Sequence, residues 1–194
     1  MGKIEIRTAE LRDAKRLLEI YAYYVEHTAI TFEYEVPSLE EFQNRIRNTL
    51  ESYPYLCILE DGEIRGYAYG GAFIGRAAYA WSAETTVYIA RDARKQGLGR
   101  KVYEALEAAL KERGIRNLYA CIGYPSKEDE YLTKNSAQFH RHLGFEQVGE
   151  FHNCGYKFGR WYHMIWMEKI IGEHGNISLP PRTGCYIDHN KSLS

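Results

Sequence analysis

The chain has 194 residues, of which 45% are hydrophobic and 26% charged, and its formal net charge is -1. That length and balance describe one globular domain with its own core. They exclude the basic surplus of a nucleic-acid binder, and no apolar run is long enough to span a membrane.

The segment Lys3 to Arg7 alternates polar and apolar residues and predicts a first strand. From Glu10 to His27, the residues Leu11, Ala14, Leu17, Leu18, Tyr21 and Val25 fall on one helical face. Ser38 and Glu41, just after Pro37, have capping-box spacing and open a second helix with the apolar stripe Leu39, Phe42, Ile46 and Leu50. Tyr55 to Glu60, the turn Asp61-Gly62, and Ile64 to Phe73 read as a β-hairpin. Glu84 to Ile89 is rich in β-branched residues and predicts a central strand. A basic glycine-containing loop then leads into a helix carrying Leu98, Val102, Leu106 and Leu110, which Gly114 ends. A strand at Asn117 to Tyr124, a short helix at Ser136 to Leu143 and strands at Gln147 to Phe151 and Tyr162 to Lys169 complete the pattern. The order βααβββαβαββ predicts a single mixed α/β domain over residues 1–171. Residues 172–194, rich in Gly, Pro, Ser, Asn and His, are expected to form an appendage lying on the domain or on a partner subunit.

Cys57, Cys121, Cys154 and Cys185 are scattered singly, and the first three are expected to be small buried residues of a reduced protein. The N-terminal residues show no signal-peptide pattern, so the expected location is cytoplasmic. His140 and His142 are two apart and point in different directions on a helix, so no metal is expected. The seventeen tyrosines suit a wet pocket or a subunit interface.

The chemistry concentrates in Val87 to Gly99, VYIARDARKQGLG. A strand ends, a loop carries Arg94, Lys95, Gln96, Gly97 and Gly99, and an amphipathic helix begins. Glycines let main-chain N–H groups turn toward one point, and the helix N-terminus adds partial positive charge. Together with Arg100, the loop makes a site for a pyrophosphate or similar anion. The spacing is neither the dinucleotide fingerprint, since Val102 stands where a third glycine belongs, nor a Walker loop.

The segment R-x-x-G-x-G after a TTVYI strand resembles the coenzyme A motif of the GNAT acetyltransferases. Three blocks extend the likeness to the phosphinothricin and methionine-sulfoximine N-acetyltransferases: AYAWSAETTVYIARDARKQGLGRKVYEAL, FHRHLGFEQVG and GYKFGRWYHMIWME. The resemblance implies the GNAT fold, a mixed central sheet with splayed strands flanked by helices. It implies acetyl-CoA as donor, a small-molecule amine as acceptor and a homodimer.

Carried over residue by residue, it places Val87, Tyr88 and Ile89 along the pantetheine arm. The main chain of Arg94, Lys95, Gln96, Gly97, Leu98, Gly99 and Arg100 lies at the pyrophosphate. Glu84 is implied as general base and His140 as the group protonating the departing thiolate. Thr133 stands where relatives carry a coenzyme-contacting Asn, and Asn135 is the nearby substitute. Phe32, Arg76, Tyr79, Trp81, Tyr156, Lys157 and Trp161 are implied at the acceptor, with Arg76 pairing an anionic group. Ile74 and Phe158 depart from the lysine and histidine of some phosphinothricin enzymes and favour methionine sulfoximine or another amino-acid-like amine. Two alternatives stay open: a non-catalytic acetyl-CoA sensor or structural subunit, and an enzyme acetylating a polyamine or protein amine.

Overall fold

The structure, a computed structural model, describes residues 2–175 and Pro181. Its elements run β1 (Ile4–Thr8), α1 (Ala14–His27), α2 (Leu39–Leu50), β2 (Tyr55–Glu60), β3 (Glu63–Ala72), β4 (Ser82–Ile89), α3 (Leu98–Glu112), β5 (Asn117–Tyr124), α4 (Asn135–His142), β6 (Glu146–Lys157) and β7 (Arg160–Ile170). The strands form one sheet in the order β1-β2-β3-β4-β5-β7-β6. Every neighbouring pair is antiparallel except β4 and β5, which are parallel.

Strand alternation decides which helix covers which face. Tyr67 and Tyr69 of β3 lie across from Tyr88 and Thr86 of β4, and the Tyr88 ring meets both Tyr67 and Tyr21 of α1. Gly70 points the other way, where the Leu110 side chain of α3 fills the space above it. Helix α1 therefore covers one face and α3 the opposite one, so Glu84, Thr86 and Tyr88 share a side while Thr85, Val87 and Ile89 share the other. Many of the tyrosines pack in the core, and Tyr69 and Tyr88 also line a cavity. Tyr55, Tyr67 and Tyr69 stack with ring centroids 4.8 to 6.4 Å apart, and Tyr67 and Tyr103 are fully buried.

The helix starts follow the local chemistry. Ser38 Oγ accepts from the Glu41 amide at 3.1 Å, as the spacing predicts. Ahead of α1, the Asp13 carboxylate accepts from the Glu10 amide at 2.8 Å and from both terminal nitrogens of Arg7 at 2.7 and 2.9 Å. Strand β6 extends well beyond the predicted Gln147–Phe151. Register breaks at Gln147/Gly149 and Phe151/Gly155, with Asn153 in the left-handed region, interrupt the alternation by which a strand is read.

Cys57 is buried as expected, but Cys121 and Cys154 are exposed. Cys121 alternates outward between the buried Ala120 and Ile122, and Cys154 lies in the irregular part of β6. Cys185, and the tail apart from residues 172–175 and Pro181, lie outside the described residues. No helix among the described residues is long and apolar enough to cross a membrane.

Candidate active site

Strands β4 and β5 run together only from Ser82 to Glu84 against Asn117 to Tyr119, and then part. Side-chain hydroxyls mark both ends of the opening. At its vertex Thr85 Oγ1 donates to the Tyr119 carbonyl at 3.0 Å and also bonds the phenol of Tyr103. At its far end the Ile89 main chain is bonded to the Tyr24 phenol of α1 and not to a strand. In an antiparallel ladder, residues two apart direct their main-chain groups the same way. Val87 therefore turns its N–H and C=O toward the opening. Between the strands lies a cavity of about 310 Å³, lined by both of them, by Thr31 and Phe32 after α1, and by Ser136 and His140 of α4.

Glu84 stands at the vertex and lines this cavity. Burial raises its carboxyl above the ordinary range, since removal from water penalises the carboxylate. The His140 side chain is 5% exposed and enclosed edge-on by Tyr103, Phe139 and Phe145. Its Nδ1 lies 2.8 Å from the Ser136 carbonyl, which can only accept, so Nδ1 carries the proton and Nε2 holds a lone pair. Among the described residues Nε2 has no hydrogen-bond partner. Burial also lowers the pKa of this imidazole. The ring is thus set up as a neutral acceptor.

The loop after β4 has the geometry of an anion cradle. Lys95 (φ 62°) and Gly97 (φ 79°) adopt left-handed backbone, and Gly97 is the residue from which α3 starts. Gly97 has no side chain to cap that start, so among the described residues the first amides of the helix, Leu98, Gly99 and Arg100, are left for an outside acceptor. Lys95 and Gln96 are exposed beside it. The Arg94 guanidinium lies over the Tyr24 and Tyr23 rings at 4.9 and 5.3 Å, and Arg100 is held by Glu104 at 2.7 Å. A Cβ on Gly99 would lie 3.4 Å from Phe139 and 3.5 Å from Ile89, so the glycine keeps α3 close to the end of β4.

Residues 6–166 match the family description "Acetyltransferase (GNAT) domain". The chain belongs to the GNAT acetyltransferase family. It is 34% identical over 174 residues to the phosphinothricin N-acetyltransferase of Streptomyces coelicolor, an alignment covering 88% of this chain and 98% of that one. It is 30% identical over 168 residues to the L-methionine sulfoximine/L-methionine sulfone acetyltransferase of Pseudomonas aeruginosa, covering 84% and 92%. The crystal structure of a GNAT-superfamily phosphinothricin acetyltransferase from Sinorhizobium meliloti in complex with AcCoA superposes with a TM-score of 0.83 at 31% identity, covering 96% of this chain and 97% of that one.

Of the residues predicted for this acetyltransferase, the fold brings Glu84, Val87, Tyr88, His140 and Phe32 to the cavity wall, with Ile89 at its open end. Asn135 and Thr133 are exposed at the start of α4, beside the lining residue Ser136. Arg76 and Tyr79 lie in the exposed connection between β3 and β4, and Trp81 follows it; none of the three lines the cavity. Tyr156 and Trp161 pack on each other at 5.0 Å and are exposed on the β6–β7 hairpin.

Lys157 needs correction. It is 2% exposed, and its three N–H groups are taken by the Val25, Thr28 and Thr31 carbonyls at 2.8 to 2.9 Å, which leaves no donor for an acceptor molecule. Tyr24 and Thr85, which shape the opening, were not singled out from the sequence. Tyr24 falls within the predicted first helix but outside its apolar stripe, and Thr85 reads as an ordinary β-branched strand residue.

Proposed function

We propose that this enzyme transfers the acetyl group of acetyl-CoA to the amine of a small amino-acid-like molecule of the methionine sulfoximine or phosphinothricin type, by direct attack on the thioester. The observation that carries the reading is the opening between β4 and β5, with Glu84 at its vertex and an uncapped helix start at its far end. A thioester arm fits there because Val87 offers main-chain groups of strand type to an amide-bearing chain, while α3 offers amides to a diphosphate. Bound acetyl-CoA supplies an acyl carbon activated by its thioester.

Glu84 takes the proton of the ammonium, directly or through water, and its raised pKa brings its basicity nearer to neutral pH than that of an ordinary carboxylate. The Val87 N–H stabilises oxygen charge as the amine attacks. His140, neutral and with Nε2 free to accept, orients a donor at the cavity wall. Acting as an acid toward the thiolate would require it to gain a proton first, which its burial opposes.

The acceptor class draws on the named relatives from Streptomyces and Pseudomonas. Ile74 and Phe158 weigh toward methionine sulfoximine over phosphinothricin, because each replaces a polar residue of some phosphinothricin enzymes by an apolar one. We also propose a homodimer, because Val148, Phe151, Tyr156 and Trp161 leave apolar surface exposed along the β6–β7 hairpin. A thiol-release assay with acetyl-CoA across methionine sulfoximine, methionine sulfone, phosphinothricin, polyamines and short peptides tests the function. Turnover confined to polyamines or peptides would overturn the acceptor class, and light scattering of a monomer would remove the dimer.

A further inference from the structure

Lys157 ends β6, and its ammonium sits beneath the segment that follows α1. The Val25 carbonyl belongs to the last turn of α1, where helix geometry leaves acceptors without partners. The Thr28 and Thr31 carbonyls belong to the chain that turns away from it. An ammonium is the side-chain group that carries three donors on one atom, so it can gather three converging carbonyls where a neutral amide or a planar guanidinium cannot. The Phe158 ring, 5.1 Å from Nζ, supplies further negative potential, and among the described residues no carboxylate forms an ion pair with it.

The same strand also seats a side chain of this segment. Gly155, two residues before Lys157 and so on the same face of β6, lies against the Phe32 ring so closely that a Cβ there would be 2.4 Å from Phe32 Cε1. Thr31 and Phe32 line the cavity. Strand β6 therefore grips the segment's main chain with one residue and receives its aromatic ring over another.

We propose that Lys157 is a positioning residue for the acceptor: its ammonium locks residues 28–32 in the conformation that makes Thr31 and Phe32 a wall of the cavity. This rests on reading the side of that cavity walled by Thr31 and Phe32 as the acceptor site, the Val87 side being that of the thioester arm. Lys157 touches no reacting atom in this assignment and acts through the wall it holds. Burial draws its pKa below the usual lysine range, with the Glu33 carboxylate opposing, so the grip weakens first at alkaline pH.

The test uses the full chain with Lys157→Met, which removes all three donors, and Lys157→Gln, which restores two. Acetyl-CoA affinity is read by calorimetry, steady-state constants with whichever of methionine sulfoximine or phosphinothricin the wild type acetylates, and amide hydrogen exchange over residues 28–32 by mass spectrometry. The expected result is acetyl-CoA affinity within threefold of wild type and kcat within about threefold. The acceptor KM should rise about tenfold or more in Lys157→Met and less in Lys157→Gln, the split that lost uniform binding produces. Exchange over residues 28–32 should quicken in the same order. An unchanged KM with unchanged exchange would overturn the proposal. So would loss of acetyl-CoA binding in both variants, which would make Lys157 a support of the whole domain. If the wild type acetylates neither amine, the acceptor reading fails by itself, and exchange over residues 28–32 still decides whether Lys157 holds the segment.

Discussion

The Tyr24 phenol bonds both main-chain groups of Ile89, donating to the carbonyl at 2.7 Å and accepting from the amide at 3.2 Å. A helix side chain thus stands where the next strand of the sheet would be. Those two bonds end β4 without β5 and leave the opening between them. Removing the hydroxyl strands two main-chain groups, each bond being worth about 1 kcal/mol net. Tyr24→Phe keeps the ring under Arg94 and isolates the hydroxyl. We expect acetyl-CoA affinity to fall by up to about thirtyfold, the two bonds together being worth about 2 kcal/mol. Calorimetry giving an unchanged Kd would mean that the opening does not depend on this phenol.

Glu84 carries two linked consequences of its burial. As a general base it should contribute about a hundredfold or more to kcat near neutral pH, so Glu84→Gln should lower kcat by that factor with acetyl-CoA affinity nearly intact. Its folded pKa is raised, so the folded state binds this proton more tightly than the unfolded chain does. That contribution to stability is complete below the unfolded carboxyl value and is lost as pH rises through the folded one. At pH 7 the carboxylate is therefore a cost, and Glu84→Gln should raise the ligand-free Tm. A melting curve that shifts downward, or turnover that stays at wild-type level, would contradict the assignment.

Gly97 is where the main chain needs glycine for its conformation and not for lack of room. Its φ of 79° lies in the left-handed region, and none of the described residues stands within 4 Å of an added Cβ. A β-branched residue there costs about 2 kcal/mol of backbone strain or more and projects over the uncapped start of α3. Gly97→Val should weaken acetyl-CoA binding at least tenfold. Gly149→Ala, also with open space at its Cβ but without positive φ, serves as control and should leave binding unchanged. Equal binding by both variants would remove the loop from the coenzyme site.

The fold was legible in the sequence where its period was regular. Tyr55–Glu60 and Asn117–Tyr124 match their predicted ends, and the order of elements is as read. The motif from Val87 to Gly99 could be placed because strand, glycine turn and helix start are contiguous in the chain. For the proposed acceptor side only Phe32 was placed at the cavity, because that wall joins residues 28–32 to β5, α4 and β6, and only the fold brings those together. Lys157 shows the difference. A lysine in the motif GYKFGRW reads as a ligand contact, whereas its partners are carbonyls of the last turn of α1 and of the segment after it. Cys121 failed for a local reason: one step of alternation on β5 turns it out of the core.

Asp13 joins β1 to the start of α1 and should contribute to the acid side of the stability curve. Its side chain is 7% exposed, accepts the Arg7 fork at 2.7 and 2.9 Å, and accepts the Glu10 amide at 2.8 Å. Those contacts, led by Arg7, hold the carboxyl below its ordinary value, which burial alone would raise. A depressed folded pKa means that the stabilisation is complete above the unfolded value of about 3.9 and is lost as pH falls through the folded one. Asp13→Asn keeps the shape and removes the charge, leaving the half-buried Arg7 without its counterion. We expect a loss of about 2 kcal/mol at pH 7. The wild type and the variant should converge as pH drops below about 3.9, since protonation neutralises the wild-type carboxyl as well. Thermal melts of both proteins between pH 3 and pH 7 provide the measurement; parallel curves over that range would show that the Arg7 pair does not set the acid sensitivity of the fold.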